Sequence, residues 1–250
     1  MEERTLGVIC DGVRLAGQIY IPERPKGSVV LLHGIPSSAP SDPDDPGYPG
    51  LALRFVDDGW AAAWVDMRAV RGSKGFFSIE GWVRDARTTI DAVRSTDGLV
   101  GLPLALIGSS AGGAVACEVV ARGAPVDALA TLAAPAAWVS YAGNAKLGVR
   151  RITEEAGMAL SDEVLADPEA WMREFDDVTA ETSIVKIKVP MLIMHGTADD
   201  VVPVDHAARL GERAPRADVR IIEGAGHQLR RDEAALAIIF DWLDRTLVRA

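Results

Sequence analysis

The stretch Leu104-Ala105-Leu106-Ile107-Gly108-Ser109-Ser110-Ala111-Gly112-Gly113 decides the reading of the fold. Its first half is a short apolar run of the kind that fits a strand buried on both faces. Its second half is a glycine turn that opens directly into a helical pattern, Ala114–Arg122. A strand that turns sharply into a helix is half of a β-α-β unit, and the sequence on either side repeats the theme. Upstream, Ser28–His33 and Ala61–Asp66 are apolar runs separated by a helical Leu51–Asp58. Glu80–Ser95 then places Trp82, Ala86, Ile90 and Val93 three or four residues apart, on one helix face. Downstream, Ala128–Leu132, Met191–His195 and Val219–Ile222 read as strands, with helices over Asp205–Arg213 and Asp232–Arg249. This alternation predicts an α/β fold: a mostly parallel central sheet with helices on both faces. Near the start, Leu6–Cys10 and Val13–Tyr20 flank Asp11-Gly12, a two-residue hairpin signal that adds antiparallel strands at one edge. Pro36–Gly50, rich in turn formers, reads as a long loop.

Composition removes several function classes. The 250 residues carry 26 basic against 36 acidic side chains, a net charge of −10 that repels a phosphate backbone and argues against nucleic acid as a partner. Cys10 and Cys117 are too few and too far apart for a disulfide framework and read as reduced thiols. The opening Met1-Glu2-Glu3-Arg4 is not a secretory leader, and the longest apolar stretch, Ala128–Val139, is broken by Thr131 and Pro135 and is too short to span a bilayer. The expectation is a cytoplasmic protein with no membrane partner. The four histidines show no metal-ligand spacing, and neither G-x-G-x-x-G nor a P-loop occurs, so no metal or cofactor is expected.

The chemistry starts at Gly108-x-Ser110-x-Gly112, a G-x-S-x-G motif between a strand and a helix. Such a turn holds its serine in a strained conformation, and glycines two residues before and after remove side chains that would collide there. The hydroxyl is then presented at the carboxyl ends of the strands, where ligands bind in sheets of this class. A passive serine in a glycine-rich turn is the alternative. A nucleophilic serine needs a base held by an acid. His227, in the loop Gly224-Ala225-Gly226-His227, is free to face a site, whereas His33 and His195 end buried strands and His206 reads as a solvent-facing residue at a helix start. The acid falls between serine and histidine in chain order, which leaves Asp199 or Asp200 after the strand Met191–His195, and at least one of them serves a turn or cap.

These residues resemble an α/β-hydrolase of the serine esterase type, similar to carboxylesterases and feruloyl esterases. The likeness spans nearly the whole chain and rests on His33-Gly34 after an early strand, the elbow at Ser110, His195-Gly196-Thr197-Ala198-Asp199-Asp200-Val201-Val202-Pro203, and Gly224-Ala225-Gly226-His227. It implies a Ser110–Asp199–His227 triad, with Asp199 chosen over Asp200 because Pro203 follows four residues later. It also implies an oxyanion hole from the N–H groups of Ala111 and of Ile35, since Pro36 has no N–H to offer. Asp66-x-Arg68…Arg71-Gly72-Ser73-Lys74-Gly75 resembles a glycine-rich family loop, but with Ala69-Val70 inserted after Arg68. Residues 1–134 and 186–250 are then the hydrolase core, and residues 135–185 a small helical cap where relatives insert one. Of the aromatic and methionine side chains there, Trp138 and Tyr141 are the candidates for a substrate pocket, while Met158, Trp171, Met172 and Phe175 are expected to pack the cap onto the core. Arg150-Arg151 could meet an acidic substrate group or be simply solvated, and Asp42, Asp44 and Asp45 could disfavour anionic substrates. The expected activity is hydrolysis of small to medium carboxylic esters through an acyl-enzyme. A peptidase, thioesterase or lactonase would use the same residues, and a catalytically inactive binding protein would be expected to lack part of the triad. Neither the substrate nor the oligomeric state is readable from the sequence.

Overall fold

The computed structural model describes residues 1–37, 42–138 and 144–248. An eight-stranded sheet runs in the order β1-β4-β6-β5-β7-β8-β9-β10. Its centre is β5 (Ser28–Leu32), β6 (Ala61–Val65), β7 (Leu104–Ser109), β8 (Ala128–Leu132) and β9 (Met191–Gly196), all parallel, with β10 (Asp218–Ile222) parallel at one edge. The apolar runs become these strands because both faces are covered. In β5, Val30 and Leu32 face α2 (Ile79–Arg94) and α3 (Ala111–Ala121), whereas Val29 and Leu31 face α1 (Gly47–Asp57) and α9 (Glu233–Leu247). Trp82, Ala86, Ile90 and Val93 of α2 are all fully buried against the first face, as their spacing requires. Burial of each large side chain there contributes about 1.5–3 kcal/mol. α8 (Asp205–Arg213) covers the same face through Ala207 and Leu210.

Two local readings are corrected. The Asp11-Gly12 turn does form, with both residues at positive φ (51° and 76°) as a tight I′ hairpin demands, but its ladder is only β2 (Ile9–Cys10) with β3 (Val13–Arg14), apart from the main sheet. The antiparallel edge is instead β4 (Gly17–Ile21) between β6 and β1 (Glu2–Thr5). Glu2-Glu3-Arg4-Thr5 shows no apolar alternation because an edge strand can stay charged, which also protects the edge from pairing with another chain. The loop expected over Pro36–Gly50 is shorter than its composition suggests. Asp45 accepts the Gly47 N–H at 2.8 Å, and α1 starts there behind Pro46.

Between β8 and β9 lie α4 (Ala145–Arg150), a π-helical turn Arg151–Glu155, α5 (Asp162–Ala166), α6 (Pro168–Asp177) and α7 (Ala180–Ser183). Trp171 and Phe175 are buried, stacked edge-on against each other and close to Phe77 of the core. Met158 is buried as well, so these side chains pack the segment onto the core. Ser78, the N-cap of α2, donates to Glu174 of α6 at 2.8 Å and fixes the same junction. Tyr141 lies outside the described residues. No helix among them is long and apolar enough to cross a membrane.

Candidate active site

Ser110 stands between β7 and α3 at φ 52°, ψ −126°, a conformation costly for any residue with a Cβ. The flanking glycines are there for steric reasons. A Cβ on Gly108 would lie 2.3 Å from the Gly112 carbonyl oxygen, and one on Gly112 would lie 2.4 Å from the His33 carbonyl oxygen. The elbow is therefore pressed against the end of β5. The strand end itself passes close to the serine, since a Cβ on Gly34 would meet Ser110 Cβ at 2.8 Å and Oγ at 3.2 Å.

His33 organises that strand end. Gly34 O can only accept, so His33 Nδ1–H donates to it at 2.7 Å, and His33 Nε2 accepts the Met67 N–H at 2.9 Å. Carbonyl and N–H of one peptide unit point in opposite directions. Holding Gly34 O therefore directs the Ile35 N–H away from His33. Burial pushes the His33 pKa down to about 4, which keeps the ring neutral and in this tautomer.

Asp199 follows β9 and its carboxylate is fully buried. It accepts from His227 Nδ1 at 2.8 and 3.0 Å, and from the N–H groups of Val201 (2.9 Å) and Val202 (2.8 Å). Burial alone would raise its pKa, but the Val202 N–H, the His227 ring and the Val201 N–H outweigh it and hold the group below its ordinary value. His195 Nε2 lies 3.1 Å from Asp199 Oδ2 and 2.8 Å from Val202 O, both acceptors, so this nitrogen carries the ring proton. Asp200 is exposed, and the geometry thus separates the two adjacent carboxylates. His206, expected at the surface, is instead buried, where its Nδ1 accepts the Ala136 N–H at 2.9 Å. Its helix, α8, turns that face inward against β9.

Ser110, His227, Ile35, Ala111 and Trp138 all line one cleft of about 610 Å³. Trp138 also donates to Val178 O at 2.5 Å and packs edge-on to Phe175, so it serves the wall and the packing together. The cleft walls include residues that sequence reasoning passed over: Tyr48, Arg71, Glu155 and Arg230. Arg230 grips Asp45 through both guanidinium nitrogens and lies 5.6 Å above the Tyr48 ring, and Arg231 pairs with Asp42 at 2.7 Å. The signal was present as an arginine doublet after His227 matching acids in the 42–45 segment. Asp42 and Asp45 are thus neutralised by partners, and their charge does not face a substrate alone. Among the described residues no cluster of His, Cys, Asp and Glu could hold a metal ion.

Comparison with known proteins gives the same architecture. An esterase from Pyrococcus furiosus superposes with a TM-score of 0.72 at 17% identity, covering 98% of this chain and 91% of that one. Est1E from Butyrivibrio proteoclasticus, with ferulic acid bound, gives 0.73 at 18% identity over 98% and 100%. The alpha/beta hydrolase GrgF from Penicillium gives 0.74 at 16% identity over 99% of each chain. At these identities the likeness shows the fold, which is that of the α/β hydrolases. In sequence, alpha/beta hydrolase domain-containing protein 17C of Xenopus tropicalis is 43% identical over 54 residues, 21% of this chain and 17% of that protein. The human protein of the same name is 41% identical over 54 residues, again 21% of this chain and 16% of its own length. The profile of the prolyl oligopeptidase family matches residues 83–249, from α2 through the elbow, Asp199 and His227 into the last helix, and the chain belongs to that family.

Proposed function

We propose that the protein hydrolyses carboxylic esters of small to medium size through an acyl-enzyme on Ser110. The observation that carries this reading is His227, bonded to Asp199, on the same cleft as a serine held at positive φ. In the proposed reaction His227 takes the Ser110 proton as Oγ attacks the ester carbonyl. Asp199 holds the Nδ1–H tautomer and stabilises the imidazolium. The N–H groups of Ile35 and Ala111 receive the oxyanion, and each such donor is worth about 3–4 kcal/mol in the transition state. His227 returns the proton to the leaving alkoxide. Water, deprotonated by the same ring, then attacks the acyl-enzyme, and collapse releases the acid and restores Ser110.

In the same reading residues 135–185 form a cap over the cleft, with Trp138, Arg151, Glu155 and Ala156 on its inner side, and the protein works in the cytoplasm without cofactor or membrane. A peptidase reading is favoured by the family match and uses the same residues. A fluorophosphonate probe tests the nucleophile: Ser110 should be labelled and Ser110→Ala should not. Full ester turnover by Ser110→Ala would sink the proposal. Faster cleavage of a prolyl amide than of matched esters would replace ester by peptide hydrolysis.

A further inference from the structure

We propose that Arg71 is a specificity residue that pairs with a carboxylate on the substrate, so that the preferred esters are those of dicarboxylic acids or otherwise carry an acid near the scissile bond. This rests on the reading of Ser110 as the nucleophile, because the carboxylate is placed relative to that serine.

Four observations converge on Arg71. First, it lines the cleft that holds Ser110 and His227. Second, the loop that carries it is fixed in place. Val70 is buried, Ala69 and Arg71 both take left-handed φ (66° and 42°), and residues 69–74 are closed by the Ala69 N–H to Lys74 O bond at 3.0 Å. Two non-glycine residues in the left-handed region of one loop are a local cost, maintained where the surroundings fix them, and such strain gathers at binding sites.

Third, the guanidinium has capacity to spare. Of its five N–H donors, only Nη1 is engaged among the described residues, on Asp66 at 3.1 Å, and the side chain is 59% exposed. Arg68, three residues earlier, is the opposite case: buried, and committed to Asp85 and Asp11. Arg230, also on the cleft wall, is committed to Asp45. Fourth, the described lining residues include Arg71, Arg151 and Arg230, the last already met by Asp45, and a single acid, the exposed Glu155 of the π-helical turn, in a chain of net charge −10. An arginine fork matches a carboxylate with two parallel hydrogen bonds, which a neutral acyl chain cannot return.

The test is a matched pair of esters, p-nitrophenyl butyrate and mono-p-nitrophenyl succinate, which differ by a methyl against a carboxylate. The wild type should favour the succinyl ester in kcat/KM by about tenfold, the size expected of a charge-assisted hydrogen bond. The preference should shrink as ionic strength rises, survive in part in Arg71→Lys, and vanish in Arg71→Gln through KM. Equal or poorer use of the succinyl ester by an active wild type, or an unchanged ratio in Arg71→Gln, overturns the assignment of Arg71 and leaves Ser110 intact. Calorimetry on Ser110→Ala with monomethyl succinate against methyl butyrate reads the same preference without turnover. Selective binding there that a second substitution, Arg71→Gln, abolishes, together with a wild type that neither labels nor turns over, would keep the carboxylate site and dismiss the serine hydrolase. Absence of selective binding would dismiss the site itself.

Discussion

Gly112→Ala is the sharpest probe of how the elbow and the oxyanion strand depend on each other. The new Cβ would sit 2.4 Å from His33 O and 2.7 Å from Leu32 O, both backbone atoms at the end of β5. Ordinary contact begins near 3.4 Å, so the elbow and the strand end must part by about 1 Å. Such overpacking costs about 1–3 kcal/mol. The substitution also replaces glycine inside a helix by the best helix former, a gain of about 1 kcal/mol. The net loss is therefore about 0–2 kcal/mol, which lowers Tm by no more than about 8 °C in a chain of this size. Activity should suffer far more. His33 is one residue from Gly34 and two from Ile35, and a displacement of about 1 Å at such a donor typically costs about 100-fold. Gly113→Ala is the control, because its Cβ would press mainly on Ala134 Cβ at 2.6 Å, away from β5. The assay is kcat/KM on a short ester beside thermal unfolding for both variants. Wild-type kcat/KM in Gly112→Ala, or a loss no greater than that of Gly113→Ala at equal stability, refutes the coupling.

Three further outcomes follow from the site. Asp199→Asn should lower kcat by about 10⁴-fold through the wrong histidine tautomer, whereas exposed Asp200→Asn should stay within about twofold, both read on one ester. His33, with a folded pKa near 4 against an ordinary 6.5, binds a proton more readily when unfolded; folding stability should therefore fall by about 3 kcal/mol as pH drops from 6.5 to 4, and His33→Gln should lack that slope in urea titrations. Asp45, which the Arg230 guanidinium holds at about 2 against an ordinary 3.8, contributes about 2 kcal/mol that is present above pH 3.8 and lost as pH falls to 2; Asp45→Asn should remove it at neutral pH in the same titrations.

The parallel sheet and the bonded acid–base pair were legible because each has a strong local signature. Ser28–Leu32 and Leu104–Ile107 are apolar on both faces, and Gly108 and Gly112 mark a turn that only glycine permits. What the sequence concealed depends on distant partners. β1 is a charged tetrapeptide whose strand identity comes from pairing with β4, and α1 begins at a glycine behind a proline, where Asp45 accepts the Gly47 N–H. His206 sits in a polar stretch, and only the packing of α8 on β9 and its bond from the Ala136 N–H show that its ring points inward. Between Asp199 and Asp200 the residue types alone do not decide and the family resemblance favours Asp199; in space two backbone N–H groups and two imidazoles distinguish them. Arg71 reaches the cleft from a loop in which it and Ala69 take left-handed φ, and no residue pattern announces that.

The ion pair between Asp45 and Arg230 joins residues 185 positions apart. On a ribosome adding about 5–20 residues per second, that separation is about 10–40 s of synthesis. From the emergence of Ser110 until nearly the end of that interval, the nascent chain carries the serine and its oxyanion strand without the segment that holds His227 and Arg230. In the proposed mechanism such a chain cannot activate its serine, so hydrolysis begins only when the closing segment arrives and docks. The order of the genetic message thus delays catalysis, in that mechanism, until His227 has been made.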